Sequence, residues 1–187
     1  AVSAKTHVHS THNPLAQYRK PYTVEAVLAA PPIVFPLTLP MCSPISDGAA
    51  AAVICNSAGL RKLAVSDDRA IRVLASVLQT SAERDPYDYD RHVTRLAAMR
   101  AYAMAGLGPL DVDVAEVHDA TAMGEIIEIE ALGLVPPGEG GIAAERGDTV
   151  IGGRIPVNPS GGLECKGHPI GATGLGQIYE LVSQLRG

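Results

Sequence analysis

The stretch Asn158-Pro-Ser-Gly-Gly-Leu-Glu-Cys-Lys-Gly-His-Pro-Ile-Gly-Ala-Thr-Gly174 holds the densest chemical signal in the chain. Five of its 17 residues are glycine, which lets the backbone take positive φ and come close to a ligand. His168 stands between Gly167 and Pro169, so its ring is carried on a rigid turn. Leu175, Ile178, Leu181, Val182 and Leu185 then mark a helix whose free N–H groups point back toward the same place. A histidine so placed deprotonates a nucleophile or donates to a developing oxyanion. From the residues alone, a glycine-rich connection with an incidental histidine fits equally well.

Moving outward, Ile155 to Asn158 reads as a short strand, and Pro136 to Thr149 as a glycine-rich loop. Asp111 to Val117 alternates through Val112 and Val114, a strand that ends at His118-Asp119. Open α/β sheets place ligand-facing groups at such strand ends; a ring that merely caps the next helix is the plain alternative. That helix runs from about Thr121 to Leu132 with Met123, Ile126 and Ile127 aligned, so Glu125, Glu128 and Glu130 are expected to face solvent. His92 to Ala105 gives the clearest helix, with Val93, Leu96, Ala97, Ala101 and Met104 on one face and Gly106 and Gly108-Pro109 to stop it. Ala49 to Cys55 is apolar on both sides and suits a buried strand, and Ile71 to Gln79 reads as another. Residues 1 to about 23 read as a loop or extended arm. Its His7, His9 and His12 offer three imidazoles without a carboxylate among them, and we expect a surface segment and no metal site. Strands alternating with helices predict an α/β layered domain with largely parallel pairing.

Composition narrows the function. Fifteen Lys and Arg against twenty Asp and Glu leave a net charge of −5, with no strongly basic stretch, which argues against nucleic acid as partner. The apolar share of 47% argues against disorder, and no apolar run is long enough to span a membrane. Aromatics are only 4%, so Ala, Val, Ile and Leu must fill the core. Cys42, Cys55 and Cys165 are odd in number and widely spaced, which excludes a disulfide scaffold and fits a reducing, cytoplasmic setting. Cys165 lies three residues from His168 and could be read as a nucleophile–base pair; Cys42 and Cys55 read as small buried fillers.

Taken together, these blocks resemble the thiolase superfamily. Asn158 to Gly174 resembles its Gly-His-Pro block, and Glu116-Val-His-Asp119 the His-Asp-Cys-Phe block of sterol-carrier-protein-type thiolases. Met41-Cys-Ser-Pro-Ile-Ser-Asp-Gly-Ala-Ala50 resembles the serine-containing coenzyme A turn, and Lys5 to Tyr22 the end of the loop domain. The resemblance implies a thiolase-like βαβαβαββ half with a mixed, mainly parallel sheet covered by helices and its final strands missing. It also implies a tail of the loop domain with linker over 1–40 and a truncated C-terminal domain over 41–187. By the same resemblance, His168 activates a nucleophilic cysteine and helps form an oxyanion hole that His118 completes. Ser43 would bind the pantetheine arm, and Gly161 and Gly162 would shape the turn beside the acyl group.

The implied substrate is an acyl-CoA or 3-ketoacyl-CoA thioester, with no tightly bound cofactor, in an acyltransferase that forms a homodimer or higher oligomer. Two departures qualify this. The family's nucleophilic cysteine lies in an N-terminal half, outside these residues. The His-Asp-Cys-Phe block reads His118-Asp119-Ala120-Thr121 here, and Ala120 cannot take a proton. The alternative is therefore a thiolase-like lipid-transfer or aldolase-type subunit that works with a small OB-fold, zinc-ribbon partner; a hydrolase built on Cys165 and His168 ranks behind both.

Overall fold

The computed structural model describes residues 1–63, 66 and 69–187. Eight α-helices occur among them: α1 Val2–His9, α2 Val24–Leu28, α3 Ser57–Lys62, α4 Val93–Ala105, α5 Ala122–Ala131, α6 Gly140–Arg146, α7 Gly162–Lys166 and α8 Thr173–Arg186. A two-stranded antiparallel hairpin, β1 Pro32–Val34 and β2 Leu37–Thr38, separates α2 from α3. Together they give an α/β fold whose core comprises Ala115, Val117, Ile129, Leu134, Val135, Ala143, Ile155 and Val157.

That core sits where α5 and α6 cover a pair of extended segments. Ala115 N–H donates to Pro156 O at 3.0 Å and Asn158 N–H to Ala115 O at 2.8 Å, a parallel bridge between Ala115 and Val157. The strands expected over 111–117 and 155–158 thus meet side by side, reduced to a single bridge. On the other side, Cys42 bridges Thr121 in antiparallel sense, and Ser43 N–H donates to Ala120 O at 3.0 Å.

The helices at 93–105, 122–131 and 173–186 follow the apolar spacing of the sequence. Gly106 takes φ 68° at the end of α4, where its N–H reaches back to Tyr102 O, and Thr121 caps α5 by accepting from Gly124 N–H at 3.3 Å. Tyr102 Oη donates to Leu132 O at 3.0 Å and ties α4 to α5.

Four expectations are corrected. Residues 2–9 form a buried helix instead of an arm: its buried face is polar and carries no apolar stripe to read. The loop over 136–149 contains α6, closed by Gly147 at φ 85°. Glu125 does not face solvent but is fully buried, paired with Lys5 Nζ; Glu128 accepts from Thr94 Oγ1 and Glu130 from Gly140 N–H. Lastly, Ala49–Cys55 and Ile71–Gln79 belong to no ladder among the described residues. Val53 and Ile54 are 84% and 83% exposed, and Leu78 is 90% exposed. A run that is apolar on both faces states that it needs covering on both; it does not supply the cover.

Candidate active site

His168 follows α7 through Gly167, which stands at φ 107°. Its backbone N–H donates to Ser46 Oγ at 3.3 Å, and Ser46 Oγ donates in turn to Gln17 Oε1 at 2.6 Å. Nδ1 lies 2.8 Å from Thr173 Oγ1, whose own proton goes to Pro169 O at 3.1 Å. Nδ1 is therefore the protonated nitrogen, and Nε2 keeps its lone pair as a base. Burial, and then the neighbouring His118, hold the His168 pKa below the ordinary histidine value, which favours that neutral form.

His118 stands at the end of the extended segment that Ala115 and Val117 anchor in the core. Its ring meets that of His168 edge to face, with centroids 4.9 Å apart and planes at 80°. Residues 50 apart in sequence thus share one site. Gln177 Nε2 donates to Val117 O at 2.8 Å, so α8 holds the residue before His118 as well as the Thr173 that orients His168.

Behind the rings lies a buried polar layer. Asp119 is fully buried and accepts from Leu163 N–H at 2.7 Å through Oδ1, while Oδ2 has no partner. Burial first, then Glu164 and Glu125, push its pKa well above the usual carboxylate range. Asn158, at φ 53°, accepts from Val117 N–H at 2.8 Å and donates to Glu125 Oε2 at 2.9 Å. Its carbonyl meets His9 Nδ1 at 3.0 Å, and His9 Nε2 accepts from Ile151 N–H at 3.0 Å. His9 is thereby fixed as a neutral ring, its pKa pushed by burial down to about 4. His7 also faces backbone carbonyls, of Lys20 and Pro40, so the His7–His9–His12 set does not converge. No group of three or more His, Cys, Asp or Glu among the described residues is placed to hold a metal ion.

The glycines answer to close approach. A Cβ on Gly162, at φ 59°, would lie 2.0 Å from Asp119 Oδ2, and one on Gly161, at φ 94°, 2.6 Å from Ser10 Cβ. Both are buried against the chain's own residues. Ser43 is half-buried and joins the site through its backbone to Ala120. The serine that touches the His168 turn is Ser46, which sequence reading left without a role although it lies in the same Ser-Asp-Gly turn. Thr173 and Gln177 were also missed, because their pairing with His168 and Val117 carries no motif. A cleft of about 650 Å³ flanks the turn, lined among others by Gln17, Ser46, Lys166, Thr173 and Tyr179.

Cys55, expected as a buried filler, is exposed, in line with the uncovered run that carries it, while Cys165 and Cys42 are poorly placed as nucleophiles. Cys165 is fully buried, and burial together with Glu164 drives its thiol far above the ordinary value. Cys42 is half-buried and shifted upward for the same two reasons.

A family model described as thiolase C-terminal domain-like matches residues 75–187. The chain belongs to that family. It is 45% identical over 187 residues to an acetyl-CoA acetyltransferase of Methanothermobacter thermautotrophicus, covering 100% of this chain and 49% of that protein. It is 41% identical over 192 residues to sterol carrier protein 2 of Oryctolagus cuniculus, covering 98% of this chain and 34% of that protein. Among solved structures, an Ltp2-ChsH2(DUF35) aldolase superposes with a TM-score of 0.75 at 24% identity, covering 100% of this chain and 49% of that one; that likeness concerns the fold. The chain thus spans between a third and a half of the length of these relatives. No helix among the described residues is long and apolar enough to cross a membrane.

Proposed function

We propose that this chain is the C-terminal half of a thiolase-like acyltransferase for acyl-CoA or 3-ketoacyl-CoA thioesters, with residues 1–40 as the tail of a loop domain and 41–187 as the C-terminal domain. The observation that carries the reading is the His118–His168 ring pair at the head of the glycine-rich turn. His168 Nε2 takes the proton of an incoming cysteine thiol, and the thiolate attacks the thioester or ketone carbonyl. Both imidazoles then donate to the oxygen on which charge develops. Collapse of that adduct breaks the C–S bond to coenzyme A or, in a 3-ketoacyl-CoA, the C–C bond to the departing acyl-CoA. The released thiolate or α-carbanion takes up a proton, and the acyl group stays on the cysteine. The acyl-carrying cysteine comes from outside these 187 residues, a reading supported by the buried Cys165 and the upward-shifted Cys42. Coenzyme A enters as part of the substrate, with Ser43 on its pantetheine arm, while Gly161 and Gly162, packed against Ser10 and Asp119, shape the turn beside the acyl group.

Ala120 favours one second reading: a lipid-transfer or aldolase-type subunit working beside an OB-fold, zinc-ribbon partner. A methyl group there cannot serve as the base of a condensation step. The test is thiolysis of a 3-ketoacyl-CoA by the protein that joins these residues to the cysteine-bearing region. His168→Ala is expected to lower turnover at least roughly 10²-fold, since one change removes both a base and an oxyanion donor. Residues 1–187 alone are expected to give no turnover, and a substrate-dependent rate from them would overturn the assignment. Acyl-CoA binding or retro-aldol cleavage without thiolysis would install the second reading.

A further inference from the structure

Glu116 and Lys166 each precede one of the two imidazoles by two residues. Glu116 lies on the extended segment that delivers His118, and Lys166 ends α7 just before Gly167-His168. Glu116 Oε2 and Lys166 Nζ are 3.7 Å apart, with the glutamate side chain fully buried and that of the lysine 16% exposed. Lys166 Nζ has no hydrogen-bond partner and is shut off from solvent. Glu116 is held on its other side by Ser160, whose N–H donates to Oε1 at 3.0 Å and whose Oγ donates to Oε2 at 2.8 Å. Ser160 Oγ accepts from Gly162 N–H at 3.2 Å. The groups facing Glu116 are therefore Ser160 from the turn, Lys166 from α7 and, at longer range, Glu180 from α8 and Asp119 beside His118.

We infer that the Glu116–Lys166 ion pair is a positioning brace that sets the separation of the His118 and His168 rings. A buried ion pair adds little net stability over apolar residues of the same volume; its best-attested use is to fix one arrangement among several. Here the two charges sit on the two backbone segments whose relative placement decides whether the rings meet. In an extended segment residues 116 and 118 point to the same side, so a shift of Glu116 moves His118 with it. On the other segment only Gly167 separates Lys166 from His168. Neither charged group is hydrogen-bonded to a ring, Glu116 being taken up by Ser160 and Lys166 Nζ having no hydrogen-bond partner, and the brace acts through the backbone.

The inference rests on reading the ring pair as the reactive centre, but its test needs no turnover, so failure of the thioester chemistry leaves it separately decidable. In the chain carrying isotope-labelled histidine, nuclear Overhauser contacts between the His118 and His168 rings and the His168 titration are followed by NMR. Lys166→Met is expected to abolish the cross-ring contact and move the His168 midpoint up, as the neighbouring ring that helps hold it down moves off. Lys166→Arg is expected to retain both signals. Because Lys166→Met leaves a buried carboxylate unpaired and risks unfolding, the double variant Glu116→Gln/Lys166→Met carries the same readout without a lone buried charge. Loss of the contact in a folded double variant supports the brace. An unchanged contact and midpoint in either variant overturns it. So does a double variant that cannot fold, because the pair would then be a support of the whole domain and not a spacer of two rings.

Discussion

Replacing Glu164 by Gln should remove much of the loss of stability that this chain suffers as pH rises through neutrality. Glu164 is buried on α7 with neither carboxylate oxygen hydrogen-bonded; Ser3 Oγ faces it without completing a bond. Burial is the main force that raises its pKa, from 4.5 to about 8, with Glu125 adding to the rise and Lys5 opposing it. A carboxyl raised in the folded state gives its full stabilisation below the unfolded value and loses it as pH climbs through the folded one. At ~1.36 kcal/mol for each pH unit, the whole interval amounts to roughly 5 kcal/mol, as large as the total stability of many domains. His9, His7 and His168 are shifted the other way, so their contributions change below about pH 6.5. The window from pH 6.5 to 8 therefore isolates the carboxyls, and Glu164 alone accounts for about 2 kcal/mol of decline across it. Urea unfolding at the two pH values, at constant ionic strength, reads this as a midpoint that falls by about 1 M in the parent chain, for an m of ~2 kcal/mol/M. Glu164→Gln should flatten that slope by the same amount, leaving whatever Asp119 and Glu116 contribute. A parent chain whose stability is level or rising from pH 6.5 to 8, or a variant with the parent's slope, would refute the reasoning.

Two further outcomes follow from the turn. Gly162→Ala must place a methyl 2.0 Å from Asp119 Oδ2 at φ 59°, and should cost more than about 2 kcal/mol from left-handed strain and overpacking together. Gly106→Ala, also at positive φ but with open space around it, should cost only about 1 kcal/mol, a contrast that thermal unfolding resolves. Thr173→Val removes the hydroxyl that accepts from His168 Nδ1–H and frees the tautomer. If the proposed function holds, turnover of the protein that joins these residues to a cysteine-bearing region should fall about 10-fold, while stability to thermal unfolding stays within about 1 kcal/mol.

The sequence made three helices readable because their apolar side chains recur at helical spacing, although α4 buries only Ala98 and α8 leaves Leu175, Ile178 and Leu185 exposed. It also made His118 and His168 stand out because they lie beside a strand end and within a glycine-dense turn. It did not reveal α1, whose buried side chains Lys5, Thr6, His7 and His9 look like a surface pattern. Of these, Lys5 and His9 are buried against partners at Glu125, Asn158 and Ile151, more than 110 residues away. The burial of Glu125 was hidden for the same reason: its cation sits on α1. Ala49–Cys55 misled in the opposite direction, since its composition reports a demand for cover and not whether the described residues meet it.

Asn158 is the joint at which these distant pieces act on the site. It is the one non-glycine among the described residues at positive φ, a conformation that costs roughly 1–3 kcal/mol and persists only where the surroundings over-determine it. Here they do: one side chain and one carbonyl engage Val117, Glu125 and His9 at once. Each of those contacts reaches a different element, namely the segment bearing His118, the cap-anchored α5 and the buried α1. Lys5 closes the circuit by donating to Val157 O at 3.0 Å while pairing with Glu125. A low-dielectric network of this kind is costly if any member is left unpaired, so its members hold one another in a single arrangement. The direction of His118 is therefore set by residues that carry no chemistry of their own. A search restricted to reactive side chains finds the two rings and misses the groups that make them face each other.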